Sequence, residues 1–152
     1  MRLEPLYRVT FHYPEAWYVE LDGERGTESE HFLIAEGRCE GRVAGRFRGA
    51  NHPHRRTDLA YLPNFQGVIE TDDGATIVFD LRGYGRAYPE GRRQVVATAT
   101  HVSGDERYRW LNDVVCAIAG EVRPGSDGGK TSIVLDVSEL IWEPVPEHPS
   151  LR

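Results

Sequence analysis

An all-β domain, closed into a single antiparallel barrel of about eight strands, is the fold class the sequence predicts. Three observations carry this. No window of helical length shows a sustained apolar stripe at three-and-four spacing. Short β-branched and aromatic runs recur instead between clusters of Gly, Asp, Asn and Pro. Eight or nine such runs would leave two exposed sheet edges unless the sheet closes on itself.

Taken in order, the strands are "LYRVTFHY" near 6–13, with "AWYVELD" near 16–22 as a further one, "HFLIAEGRCEG" near 31–41 and "RVAGRFRG" near 42–49. They continue with "FQGVIET" near 65–71, "ATIVFDLRGYG" near 75–85, "RQVVATATHV" near 93–102, "DVVCAIAGEV" near 113–122 and "TSIVLDVSELIW" near 131–142. "DDG" between the runs at 65–71 and 75–85 favours a tight hairpin, because glycine supplies the positive φ the turn needs. "RPGSDGGK" at 123–130 predicts a looser hairpin loop. The helical exception is "SGDERYRWLND", where Ser103 and Glu106 have capping-box spacing, so a short helix or turn is expected near 103–112. The architecture is then a calycin-like barrel over residues 1–143 with an extended Pro-rich tail at 144–152, and a β-sandwich is the alternative.

Length and charge narrow the function classes. A chain of 152 residues accommodates one domain with a real core. Twenty-four acids against eighteen bases give a formal charge of −6, which disfavours nucleic acid as a partner. No apolar stretch reaches membrane-span length and the N-terminus lacks a signal-peptide core, so the expected setting is cytoplasmic with no membrane partner. Cys39 and Cys116 lack metal or redox spacing and are expected as buried, reduced thiols.

The densest polar cluster is "GANHPHRRTD" at 49–58. His52 and His54 have the i, i+2 spacing that puts two imidazoles on one side of an extended strand, a usable start for a metal site. Arg55 and Arg56 would repel a cation, and Asp58 and Asn51 are the further ligands nearby. A solvated loop and a barrel-mouth site for an anionic ligand are the other readings, the latter because guanidinium groups grip carboxylate or enolate oxygens.

On "RQVVATATHV", alternation puts Val95, Ala97, Ala99 and His101 on one face, small and apolar as a cavity wall would be, with His101 as a general acid or base. A core histidine satisfied by the backbone is the plainer alternative. "ATIVFDLRGYG" separates an apolar face from Asp80, Arg82 and Tyr84, which with Glu70 are either exposed pairs or a polar pocket lining. The row Arg38, Arg42, Arg46 and Arg48 reads as a solvent face. Trp110 is expected to plug one barrel end, or else to contribute to a ligand pocket.

The succession "AEGRCEGRVAGRF", "FQGVIETDDGATIVFDLRGYG", "DERYRWLNDVVCAIAGEV" and "SIVLDVSELIW" resembles a bacterial family of small β-barrel proteins, the domain-of-unknown-function family DUF3237. The third stretch is the most distinctive. Where the family pattern often carries a glycine-rich turn ending in Asp-Trp, this chain has "RGANHPHRRTD"; Asp58 falls at the aspartate and the tryptophan is absent. The resemblance implies an antiparallel barrel similar to the allene oxide cyclase-like group, whose members bind or rearrange small organic molecules without metal or nucleotide.

The leading expectation is therefore a cofactor-independent isomerase, cyclase or lyase acting by proton transfer on an apolar, oxygenated small molecule. His101 or His52 would move the proton, and Arg56 or Arg82 would hold the developing oxyanion, with Asp80 in the same acid–base group. His54, Asp58, Glu70, Tyr84 and Trp110 would contact the substrate. The alternatives are a non-catalytic small-molecule carrier, which could form a homodimer through an outer strand face, and a metal-dependent barrel built on His52 and His54.

Overall fold

A computed structural model describes residues 1–87, 93–125 and 129–148. It contains ten strands: β1 (Arg2–Gly23), β2 (Gly26–Gly41), β3 (Gly45–Asn51), β4 (His54–Arg55), β5 (Tyr61–Leu62), β6 (Asn64–Thr71), β7 (Thr76–Arg86), β8 (Arg93–Val102), β9 (Val115–Arg123) and β10 (Ser132–Ile141). Eight of them close a ring in the order β1, β2, β3, β6, β7, β8, β9, β10 and back to β1, every neighbour antiparallel. Within the barrel the ring leaves no unpaired sheet edge, which favours a barrel over the alternative sandwich. β4 and β5, absent from the sequence-based expectation, bridge β2 to β7 at one end.

Alternation decides what lies inside. On β7, Ile77, Phe79 and Leu81 are buried while Thr76, Val78, Asp80 and Arg82 face solvent. On β8, Ala97, Ala99 and His101 are buried between exposed Val96, Thr98, Thr100 and Val102. The middle of the barrel is an aromatic layer: Phe47 stacks on Phe79 at 4.7 Å, and Phe65 packs against both at 5.7 and 5.4 Å. Gly67 makes room for it, since a Cβ there would stand 2.2 Å from the Arg48 carbonyl oxygen and 2.5 Å from the Phe79 ring.

The run expected as a separate strand near 16–22 continues β1, interrupted by a bulge between His12 and Glu15. Pro14 lies in that bulge and has no N–H to give to the ladder, which accounts for the break in register. Beyond it, β1 and β2 run on as a hairpin arm from Glu15–Ile34 to Gly23–Gly26. The "DDG" turn forms as expected, with Gly74 at φ +92. The 123–130 loop falls partly, and the last four tail residues wholly, outside the described residues.

One barrel end is closed by the segment 103–113. A 3-10 helix spans Arg109–Asp113, but Ser103 does not cap it: its hydroxyl donates to the Thr76 carbonyl, 2.8 Å away. Trp110 is not the plug. Leu111, fully buried, fills the end, while Trp110 lies outside with the Arg42 guanidinium 4.5 Å over its ring. Alternation along one turn explains this, since neighbouring residues cannot both point inward. The segment is fastened to the "DDG" hairpin: the Tyr108 hydroxyl donates to Asp73 at 2.8 Å, and Arg107 donates to the Asp73 carbonyl oxygen at 2.8 Å.

Candidate functional site

The open end of the barrel holds a cavity of about 320 Å³. Phe65, one ring of the aromatic layer, lies at its floor, and Phe11, Leu33, Leu81, Val95, Ile133 and Leu135 wall it. Its polar lining comes from Tyr13 on β1, His31 on β2, Asn51 at the end of β3, Tyr61 on β5, Arg86, Arg93 and Gln94 on β7 and β8, and Thr131 just before β10. An apolar chamber with a few convergent polar groups is the usual form of a small-molecule site.

Tyr13 and Asn51 form the inner polar pair. The Asn64 backbone N–H donates to Asn51 Oδ1 at 3.1 Å, which fixes the amide so that its Nδ2 donates to the Tyr13 hydroxyl at 3.0 Å. The phenol oxygen is thus occupied as an acceptor, and its own proton has no acceptor among the described residues. Burial pushes the Tyr13 pKa up to about 12, against the opposing pull of the Asn51 hydrogen bond, so the phenol keeps that proton at neutral pH.

His31 stands where the hairpin arm leaves the barrel. Its Nε2 lies 2.8 Å from the Ser29 hydroxyl, Tyr18 stacks on one face at 5.7 Å, and Tyr61 meets it edge-on at 5.5 Å. Burial and then the neighbouring Arg55 charge lower its pKa, with Glu30 pulling the other way, so the ring is neutral at pH 7.

None of the ten residues singled out from the sequence lines this cavity. His101 does face inward, but toward the closed end: the Tyr7 hydroxyl lies 2.7 Å from Nε2, and Cys116 Sγ 3.9 Å from Nδ1. Only 1% of it is exposed, and desolvation lowers its pKa to about 4, so it is a neutral core histidine. With Tyr7 donating to Nε2, Nδ1–H faces the sulfur, and both ring nitrogens are accounted for.

Asp80, Arg82 and Glu70 lie on the outer wall because strand parity turns them away from the aromatic layer. Arg82 pairs with Asp80 at 3.2 Å and Glu70 with Arg48, all solvent-exposed. Such pairs stabilise weakly. Asp80→Asn with Arg82→Gln is therefore expected to change stability by less than about 1 kcal/mol in urea denaturation and to leave ligand binding unaltered.

In the rim segment, Arg56 turns back onto Asp58 through two hydrogen bonds of 3.0 and 2.8 Å, and its guanidinium lies 5.8 Å over Tyr84. His52 and His54 both turn to Glu30, at 3.6 and 2.5 Å, and no group of three His, Cys, Asp or Glu among the described residues could hold a metal ion. The arginine row is exposed and ion-paired, as expected of a solvent face. Both cysteines are buried and free, with burial raising their pKa values to about 12 for Cys39 and about 11 for Cys116. No helix of the described residues is long and apolar enough to cross a membrane.

Sequence reasoning missed Tyr13, His31, Arg86 and Arg93, and weighed Asn51 only as a metal ligand. A signal existed at "TFHYP", where a tyrosine at inward parity with Phe11 directly precedes a strand-breaking proline.

The fold recurs in solved structures. A β-barrel-like protein from Acinetobacter baumannii AYE is similar with a TM-score of 0.72 at 21% identity, over 91% of this chain and 94% of that one. A protein of unknown function from Clostridium acetobutylicum ATCC 824 aligns with a TM-score of 0.75 at 17% identity, over 93% and 100%. An enzyme from Penicillium herquei aligns with a TM-score of 0.63 at 19% identity, over 90% and 93%. No curated protein matches the sequence. The family model described as "Protein of unknown function (DUF3237)" matches residues 1–140, the whole barrel but its final strand residue, and the chain belongs to that family.

Proposed function

We propose that the protein binds an apolar, oxygenated small molecule in the open-end cavity and acts on it by proton transfer, in the manner of a cofactor-independent isomerase, cyclase or lyase. The observation that carries this is the Tyr13–Asn51 pair: an amide locked by the backbone occupies the phenol oxygen and leaves the phenol proton to donate to a ligand oxygen inside an apolar chamber. A hydrogen bond made there to a carbonyl strengthens as that oxygen gains negative charge. His31, neutral at pH 7, is the base: with Nε2–H donating to Ser29, the other ring nitrogen has the lone pair that removes a proton from the ligand. That one structural neighbour is described as an enzyme supports a catalytic reading, and two buried free thiols suit a cytoplasmic setting.

The test combines capture and turnover. Native mass spectrometry after incubation with a bacterial metabolite extract should show one bound small molecule, and chromatography should show its conversion to a product of equal mass or of mass differing by water. Tyr13→Phe and His31→Gln should each keep the fold and slow that conversion by about a hundredfold or more. Binding with no conversion would identify a carrier instead.

A further inference from the structure

Along the barrel wall, the basic side chains are neutralised. Arg8, Arg38, Arg46, Arg48, Arg82 and Arg123 each touch a carboxylate. The cavity mouth differs. Arg86 and Arg93 line it, and neither forms an ion pair among the described residues. Arg55, opposite Ser29 and Tyr61 in the bridging strand β4, has none either, and its Nε is buried without a hydrogen-bond partner.

These three charges share one neighbourhood. The Arg93 guanidinium lies 5.5 Å over the Tyr61 ring, and Tyr61 pairs in register with Arg55 on one side and with Gly85, next to Arg86, on the other. Arg86 lies 5.8 Å over Tyr84. Both Arg55 and Arg93 act electrostatically on His31, which also lines the cavity. Asp58 lies within electrostatic reach of Arg86, and Glu30 and Glu20 share the surroundings of His31 with Arg55 and Arg93, but among the described residues no carboxylate forms an ion pair with any of the three arginines, so their positive charge is open to a bound anion. Contact with an aromatic face holds a guanidinium in place while leaving its N–H fork to a ligand.

We propose that the cavity's ligand is an amphipathic carboxylate, its hydrocarbon or aryl body inside the barrel and its carboxylate gripped at the mouth by Arg86 and Arg93, with Arg55 adding positive field. This rests on the cavity being a ligand site, as proposed above, and adds the ligand's charged end. It also gives the substrate a fixed direction: the carboxylate stays at the mouth and the opposite end reaches Tyr13 and Asn51.

The experiment uses phenylbutyrate and its uncharged counterpart phenylbutanol as probes, titrated into the full chain by ligand-detected NMR and thermal shift. The acid is expected to bind the wild-type protein about tenfold or more tightly than the alcohol, with the preference weakening as salt is raised. Arg86→Gln with Arg93→Gln should erase the preference while phenylbutanol binding and the melting temperature stay near wild type, and Arg38→Gln on the outer wall should leave it intact. Equal binding of the two probes to the wild type would overturn the carboxylate inference and leave the cavity reading standing. Binding of neither probe would overturn both, as would an acid preference that survives in the double variant overturn the assignment to these arginines.

Discussion

Phe79→Ala is expected to lower the unfolding free energy by about 3–5 kcal/mol, the range for deleting a fully buried aromatic side chain. Phe79 is 2% exposed, stacks within 12° of parallel on Phe47, packs on Phe65, and covers the bare backbone of Gly67. The three rings come from β3, β6 and β7 and hold one side of the barrel together. Partial collapse is opposed by the closed ring of strands, whose hydrogen-bonded register fixes the barrel diameter. Urea denaturation of the variant and wild type at pH 7 measures the difference, and a loss below about 1 kcal/mol would contradict the placement of Phe79 in a tightly packed layer.

Acidification from pH 6.5 to about 4 should destabilise the protein by up to about 3 kcal/mol through His101 alone. The folded-state pKa is lowered to about 4, whereas the unfolded chain binds a proton at the ordinary value of 6.5. Above 6.5 both states hold the imidazole neutral and the residue contributes no pH dependence. Below it the unfolded state gains a proton that the folded state refuses, so stability falls with pH until the folded pKa is reached. The refusal has a structural cause: an imidazolium at that position would sit in the core between the Tyr7 hydroxyl and Cys116, with no carboxylate beside it. His101→Gln should flatten the stability profile over this window, and His31, also lowered, contributes in the same sense. Equal slopes in wild type and His101→Gln would show that the imidazole titrates in the folded protein as it does in water.

Barrel strands were readable because period-two alternation is local. "ATIVFDLRGYG" declares which of its side chains are apolar, and the structure buries Ile77, Phe79 and Leu81 accordingly. The same alternation put His101 on the inner face with Ala97 and Ala99. It could not say at which end of the barrel His101 lies relative to the cavity, because that depends on the shear between eight strands distant in sequence.

The candidate site was legible only in kind. "GANHPHRRTD" does lie at the cavity end, yet Arg56 pairs with Asp58 and His54 turns to Glu30, while Arg55 has no ion pair among the described residues and Asn51, the least conspicuous member, turns inward. Trp110 drew attention by its size, but Leu111 is the residue that fits the closed end.

By itself, then, the sequence determined the strand content, the antiparallel order, the hairpin at Gly74, the exposed arginine face and the buried state of both cysteines, all properties of neighbouring residues or of burial preference. Only the tertiary structure decided where the cavity is and what lines it. Tyr13, His31, Asn51, Tyr61, Arg86 and Arg93 come from six different strands, and their convergence depends on the bulge at Pro14, the bridging pair β4 and β5, and the closure of β1 onto β10. Each of those is a pairing between distant segments whose register no local pattern encodes.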